Sequence, residues 1–143
     1  MEFQMSDVTK ITKVKRDRLK MWLENGWIAT SVQRASGKGS RNIFSKDDLY
    51  RIVLFKKLVE SGIDRKFAGL CTQGFFAQPF MESFLNPDIY CWFEIYRTGE
   101  GEYQSSLVLK PGSSPRDKVD CYDMVAINVS KHLAEIDLKI DQG

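Results

Sequence analysis

Six cations stand within eleven residues: Lys10, Lys13, Lys15, Arg16, Arg18 and Lys20, with Asp17 as the single opposing charge. Ammonium and guanidinium groups at this density do one kind of chemistry well, which is to grip oxyanions spaced along a polymer. The bias extends beyond the run. Residues 1–70 carry 15 Lys plus Arg against 8 Asp plus Glu, and residues 71–143 carry 6 against 11. The halves stand at +7 and −5, a division that the net +2 of the chain conceals. A polyanion partner is implied for the first half and not for the second. Other chemistries find little support. His132 is the sole histidine, so neither a catalytic dyad nor a multi-histidine metal site can be built on it. Cys71, Cys91 and Cys121 are widely spaced and include no Cys-x-x-Cys pair, which reads as reduced thiols and not as a disulfide framework or zinc site. Gly37-Lys38-Gly39-Ser40 lacks the opening glycine of a phosphate loop, and no serine lies in a nucleophile motif. No catalytic residue, metal ligand or cofactor is assigned, and enzyme activity is not expected.

The elements that must position these cations are legible from caps and periodicity. Ser6 and Asp7 are suited to cap a short helix with Val8 and Ile11 on one face. After a turn at Thr12 and Lys13, a second helix is predicted from about Lys15 to Glu24, with Leu19, Trp22 and Leu23 inward and Asn25-Gly26 as its stop. Arg16, Asp17 and Lys20 then point outward, with Lys15 and Arg18 flanking. A β-prone run from Trp27 to Val32, a turn at 36–40 and a return strand from Arg41 to Phe44 predict a hairpin. Ser45 followed by Asp47 and Asp48 starts a third helix, and Asp64 a fourth bearing Phe67 and Leu70.

Beyond Gly74 the composition changes. Phe75, Phe76, Phe80 and Phe84 crowd around Pro79, which suits the first turn of a short helix. Ile89 to Thr98 and Tyr103 to Lys110 predict a second hairpin, and Pro111 to Pro115 a linker. Tyr122, Ala126, Val129, Leu133, Ile136 and Ile140 recur at spacings of three and four, which predicts one long helix with a seam of about two and a half heptads, read as a dimerisation surface with cover of the Ile89–Lys110 hairpin as its competitor. Ten of the seventeen aromatics lie after residue 74, where they either line a ligand pocket or fill a core. The balance of 43% hydrophobic and 28% charged residues is that of a soluble globular protein. No apolar run approaches the roughly 20 residues that span a bilayer, and the N-terminus has no basic flank followed by an apolar core. A cytoplasmic chain without membrane contact is expected.

The order short helix, basic helix, Gly-tipped wing, capped helix, short helix resembles the DNA-binding domain of the MerR family of bacterial regulators. Phe3 to Val8 is similar to that family's opening strand and first helix. Lys13-Val14-Lys15-Arg16 stands where the family usually has Gly-Val-Ser-Pro, and Leu19-Lys20-Met21-Trp22 where it has Leu-Arg-Tyr-Tyr or Leu-Arg-Tyr-Trp. Asn25 to Ile28, Arg41 to Ser45 and Asp47-Asp48-Leu49 resemble the entry to the wing, its return strand and the start of the third helix. Met21 replaces an aromatic that the family presents to the DNA backbone, and Asn42 replaces a common wing arginine. Residues 71–143 do not continue into the family's usual dimerisation helix and Cys-bearing metal loop, so metal sensing is not implied.

The resemblance implies an α+β chain with a winged helix-turn-helix over 1–74 and a dimerisation or sensing region over 75–143. It implies double-stranded DNA as partner, a homodimer on two half-sites, RNA polymerase at promoters as a further partner, and room for a small-molecule effector. Arg16 suits guanine, Asp17 a cytosine amine, and Lys15, Arg18, Lys20 and Met21 the neighbouring backbone. Arg34, Lys38, Arg41 and Asn42 suit the wing's share of the contact. Two other readings remain open: an excisionase-like or architectural DNA-binding factor that recruits a protein, and a ligand-binding or interaction module with a vestigial helix-turn-helix, which Met21 and Asp17 favour.

Overall fold

The computed structural model describes residues 1–76, 91–99, 101, 103–108 and 121–143. The expected helix around Pro79 and the linker at 111–115 lie outside the described residues. The described chain divides into two units, one of residues 1–77 with 135–143, the other of residues 78–134.

In the first unit, strand β1 (Glu2–Gln4) leads directly into helix α1 (Met5–Thr12). Gln4, not Ser6, is the cap residue, and its backbone N–H donates to the Asp7 carboxylate at 2.9 Å. Lys13 ends α1 in the left-handed region at φ 62°, its N–H donating to the Thr9 carbonyl at 3.0 Å. Helix α2 (Arg16–Glu24) follows and stops at Asn25, whose side-chain amide donates to the Met21 carbonyl at 2.8 Å. Strand β2 (Ile43–Ser45) and helix α3 (Lys46–Glu60) come next, then helix α4 (Arg65–Phe76). Ser45 caps α3 by accepting from the Asp48 N–H at 3.2 Å, and Asp64 accepts from the Phe67 N–H at 3.2 Å to start α4. Val8, Leu19, Trp22, Phe44, Leu49, Ile52 and Phe55 are fully buried, and Trp22 meets Phe55 edge to face at 4.7 Å. Leu23, predicted to point inward with them, is only half-buried.

The predicted first hairpin is corrected. No strand forms over Trp27 to Val32; a single bridge joins Gln33 to Ile43. The return strand β2 pairs instead with β1, antiparallel, with Glu2 opposite Ser45 and Gln4 opposite Ile43. A strand has two edges, and β2 offers its second one to the N-terminal segment, a partner some forty residues away that local turn chemistry does not reveal.

The second unit holds strands β3 (Trp92–Thr98), β4 (Tyr103–Val108) and β5 (Cys121–Asn128) in the antiparallel order β4-β3-β5. The predicted second hairpin is β3 with β4, Trp92 opposite Val108 and Arg97 opposite Tyr103. Phe93 and Ile95 are buried, whereas Trp92 and Tyr103 are exposed. The predicted long C-terminal helix is corrected. Tyr122 and Ala126 lie on β5, and helix α5 begins only at Val129 and runs to Gln142. The helical spacing misled because the same stretch also places Val125 and Ile127 at the period of two that suits a strand, and pairing with β3 decides for the strand. Asn128 caps α5 by accepting from the Lys131 N–H at 3.0 Å. Val129, Leu133 and Ile136 are between 0% and 2% exposed, so the chain itself already covers this part of the expected seam.

The last residues of α5 belong to the first unit. Asp137 accepts from the Tyr50 hydroxyl and pairs with Lys46 at 2.8 Å, and Lys139 donates to the Ile11 carbonyl at 3.4 Å. Burial, then the hydrogen bond to Asp137, pushes the Tyr50 phenol far above its ordinary value, so it stays a protonated donor.

Candidate nucleic-acid interface

The core residues Leu19 and Trp22 fix the roll of α2 about its axis, and that roll decides which side chains face water. Arg16, Asp17, Lys20 and Met21 are all exposed, one row along the outer side of the helix. Lys15 is exposed at the cap position. Arg18 is placed differently from the rest: its guanidinium carbon lies 5.1 Å from the centre of the Trp22 ring, so it covers the core as well as carrying charge.

The wing tip turns at Gly37 and Gly39, both near φ 90°, which is the one place where its glycines are required. The Ser40 hydroxyl closes the turn, donating to the Gly37 carbonyl at 3.1 Å. Asn42 braces the wing from within, since its side-chain oxygen accepts from the Ala35 N–H at 2.9 Å. Arg34, Lys38 and Arg41 are exposed.

Helix and wing meet in a cleft of about 440 Å³ lined by Gln4, Met5, Ser6, Arg16, Lys20, Ala35, Ser40, Arg41 and Asn42. Of the ten DNA-binding residues expected from sequence, the fold brings Arg16, Lys20, Arg41 and Asn42 onto this one cleft. Lys15, Asp17, Arg18, Met21, Arg34 and Lys38 are not among its lining residues. Three cations face it and no carboxylate does.

Two residues that shape this surface escaped sequence reasoning. Gln4 accepts from the Arg41 guanidinium at 3.3 Å. Asp48, fully buried, accepts from the backbone N–H groups of Ser45 and Ser31 and from the Ser31 hydroxyl, each at 2.9 Å. It thereby ties the segment entering the wing to the start of α3. The Ser-x-x-Asp spacing announces the cap, but nothing local announces a partner seventeen residues upstream.

The architecture is a helix-turn-helix with a braced wing that brings Arg41 to the cleft lined by Arg16 and Lys20 of the second helix. Residues 3–66 match the family model described as MerR HTH family regulatory protein. These residues are a MerR-family DNA-binding domain. No curated protein matches the chain. The MerR match ends within α4, so it covers α1, α2, the wing and α3 and leaves the β3–β5 sheet outside it. Lys13 is the point where this MerR domain is strained: it is the sole non-glycine residue at positive φ among the described residues, and it stands where the family usually has glycine. Among the described residues, no helix is long and apolar enough to cross a membrane.

Proposed function

We propose that the chain is a sequence-specific transcriptional regulator that places α2 in the major groove and the wing on the adjacent backbone. The observation that carries this reading is the convergence of Arg16, Lys20 and Arg41 on one cleft between α2 and the wing, within a domain whose family binds DNA. A helix held in this way reads base edges with its outward row, while the surrounding cations fix its register. Asp17 and Met21, beside the cleft, are the residues we assign to base edges. The +7 of residues 1–70 draws the domain to DNA at long range.

Two copies acting on two half-sites complete the reading, because one short helix and one wing supply modest affinity. The pairing surface leaves out Val129, Leu133 and Ile136, which are buried within the chain. The exposed Leu138 and half-buried Ile140 are what α5 still offers. The β3–β5 unit then receives an effector or a protein such as RNA polymerase. Selection of bound fragments from genomic DNA, followed by footprinting, tests the core of the proposal: one recurrent motif is expected, with protection on one face of the duplex. Recovery of unrelated sequences would contradict specific regulation and favour an architectural factor. Sedimentation at micromolar concentration tests the pairing, and a strict monomer on and off DNA would end it.

A further inference from the structure

The cleft between α2 and the wing gathers three cations, Arg16, Lys20 and Arg41, along its lining. Arg16 and Lys20 project from successive turns of one helix face, four residues apart. Arg41 reaches the same cleft from the other side, and its guanidinium donates to the Gln4 side-chain oxygen at 3.3 Å, a contact that favours this orientation. Gln4 is itself held in register by β1–β2 pairing, opposite Ile43, two residues from Arg41. Met5 and Ser6, the first two residues of α1, complete the wall, and the N–H groups of a first helical turn have no acceptor within their own helix. No lining residue carries negative charge. Three like charges held about one small space repel one another unless an anion sits among them.

We propose that Gln4 is a positioning residue which holds Arg41 so that it joins Arg16 and Lys20 on a single phosphate of the DNA backbone. The inference rests on the DNA-binding reading above and goes past it in two respects. It gives Arg16 a backbone phosphate in place of the guanine that the sequence suggested, and it makes the N-terminal strand part of the interface. The cleft accepts a tetrahedral oxyanion with the two arginines as planar forks and the lysine as a point charge. Because all three cations meet one phosphate, they release the counterions of one phosphate and not of three.

Salt dependence counts phosphates, so it tests the arrangement with a short duplex of arbitrary sequence and needs no operator. The full chain, its Arg16→Ala, Lys20→Ala and Arg41→Ala variants and the triple variant are compared by affinity across a salt series. Circular dichroism confirms that each is folded. Sharing predicts that the triple variant loses about 0.9 from the slope of log affinity against log salt, the value for one phosphate, and that each single variant loses less than half of that. A loss of two units or more would show separate phosphates and overturn the shared site while leaving the DNA reading intact. An unchanged slope would show that the cleft faces away from DNA and overturn it equally. A wild type with no salt-dependent affinity for duplex would instead overturn the underlying reading. Gln4 is tested by Gln4→Ala and Gln4→Glu. Glu still accepts from Arg41 but brings a carboxylate to the phosphate, so it should bind DNA more weakly than Ala. Equal or tighter binding by Gln4→Glu would remove Gln4 from the site.

Discussion

Lys13 sits at φ 62° at the end of α1, where a side chain costs about 1–2 kcal/mol against the following carbonyl. Glycine removes that cost but restores freedom to the unfolded chain, which takes back about 0.5–1 kcal/mol. Lys13→Gly should therefore stabilise the fold by about 0.5–1 kcal/mol, seen as a higher urea midpoint with an unchanged slope. A lower midpoint would show that the turn is not strained. Cys91 makes a second residue-scale prediction. Burial pushes its thiol up to about 12, above the ordinary value near 8.5 that it regains on unfolding. The unfolded chain therefore gives up a proton that the folded chain keeps. Stability from this group is complete below the ordinary value and is lost as pH rises towards 12. Cys91→Ala should flatten the alkaline fall in stability by up to one proton, and an identical pH profile would contradict the burial. The sequence shows Lys13 at a turn and Cys91 as a reduced thiol. It cannot show the sign of φ or the depth of burial, because both are set by neighbours distant in the chain.

At the scale of elements, α2, α3 and the β3–β4 hairpin were legible because each carries its own signal: core spacing, a Ser-Asp cap and a glycine turn. The pairing of the wing's return strand and the start of the C-terminal helix were misread for the same physical reason. Local pattern does not name a strand's partner, and β1 and β3 are the partners that decided β2 and β5. The Asp48 cap shows how far such a link reaches. Its carboxylate holds both the start of α3 and the Ser31 backbone, so Asp48→Ala strands donors in a partly buried setting at a cost of about 1–3 kcal/mol. The wing should loosen with it. Asp48→Ala is expected to lower both the thermal midpoint and DNA affinity, whereas Ser31→Ala, which leaves the carboxylate bonded to backbone, should change either only slightly. If Asp48→Ala binds DNA as tightly as wild type, the wing does not depend on this tie.

Over the whole molecule, the charge division in the sequence largely follows the division of the chain into two units. The cations of residues 1–70 lie on the helical unit whose α2 and wing form the cleft, and the acidic second half contributes the β3–β5 sheet. The return of residues 135–143 to the helical unit, through Asp137 with Tyr50 and Lys46, was not legible, since those partners are about ninety residues apart in sequence. On the reading proposed above, the outward face of α2 is where this chain meets DNA. Binding of the full chain to its selected motif, compared with a Lys15/Arg16/Lys20 triple alanine variant at moderate salt, tests it most directly. All three side chains are exposed, so the variant should fold as the wild type does. A loss of specific affinity of at least tenfold is expected, the equivalent of about 1.4 kcal/mol, and equal affinity of the two proteins would place the DNA contact elsewhere.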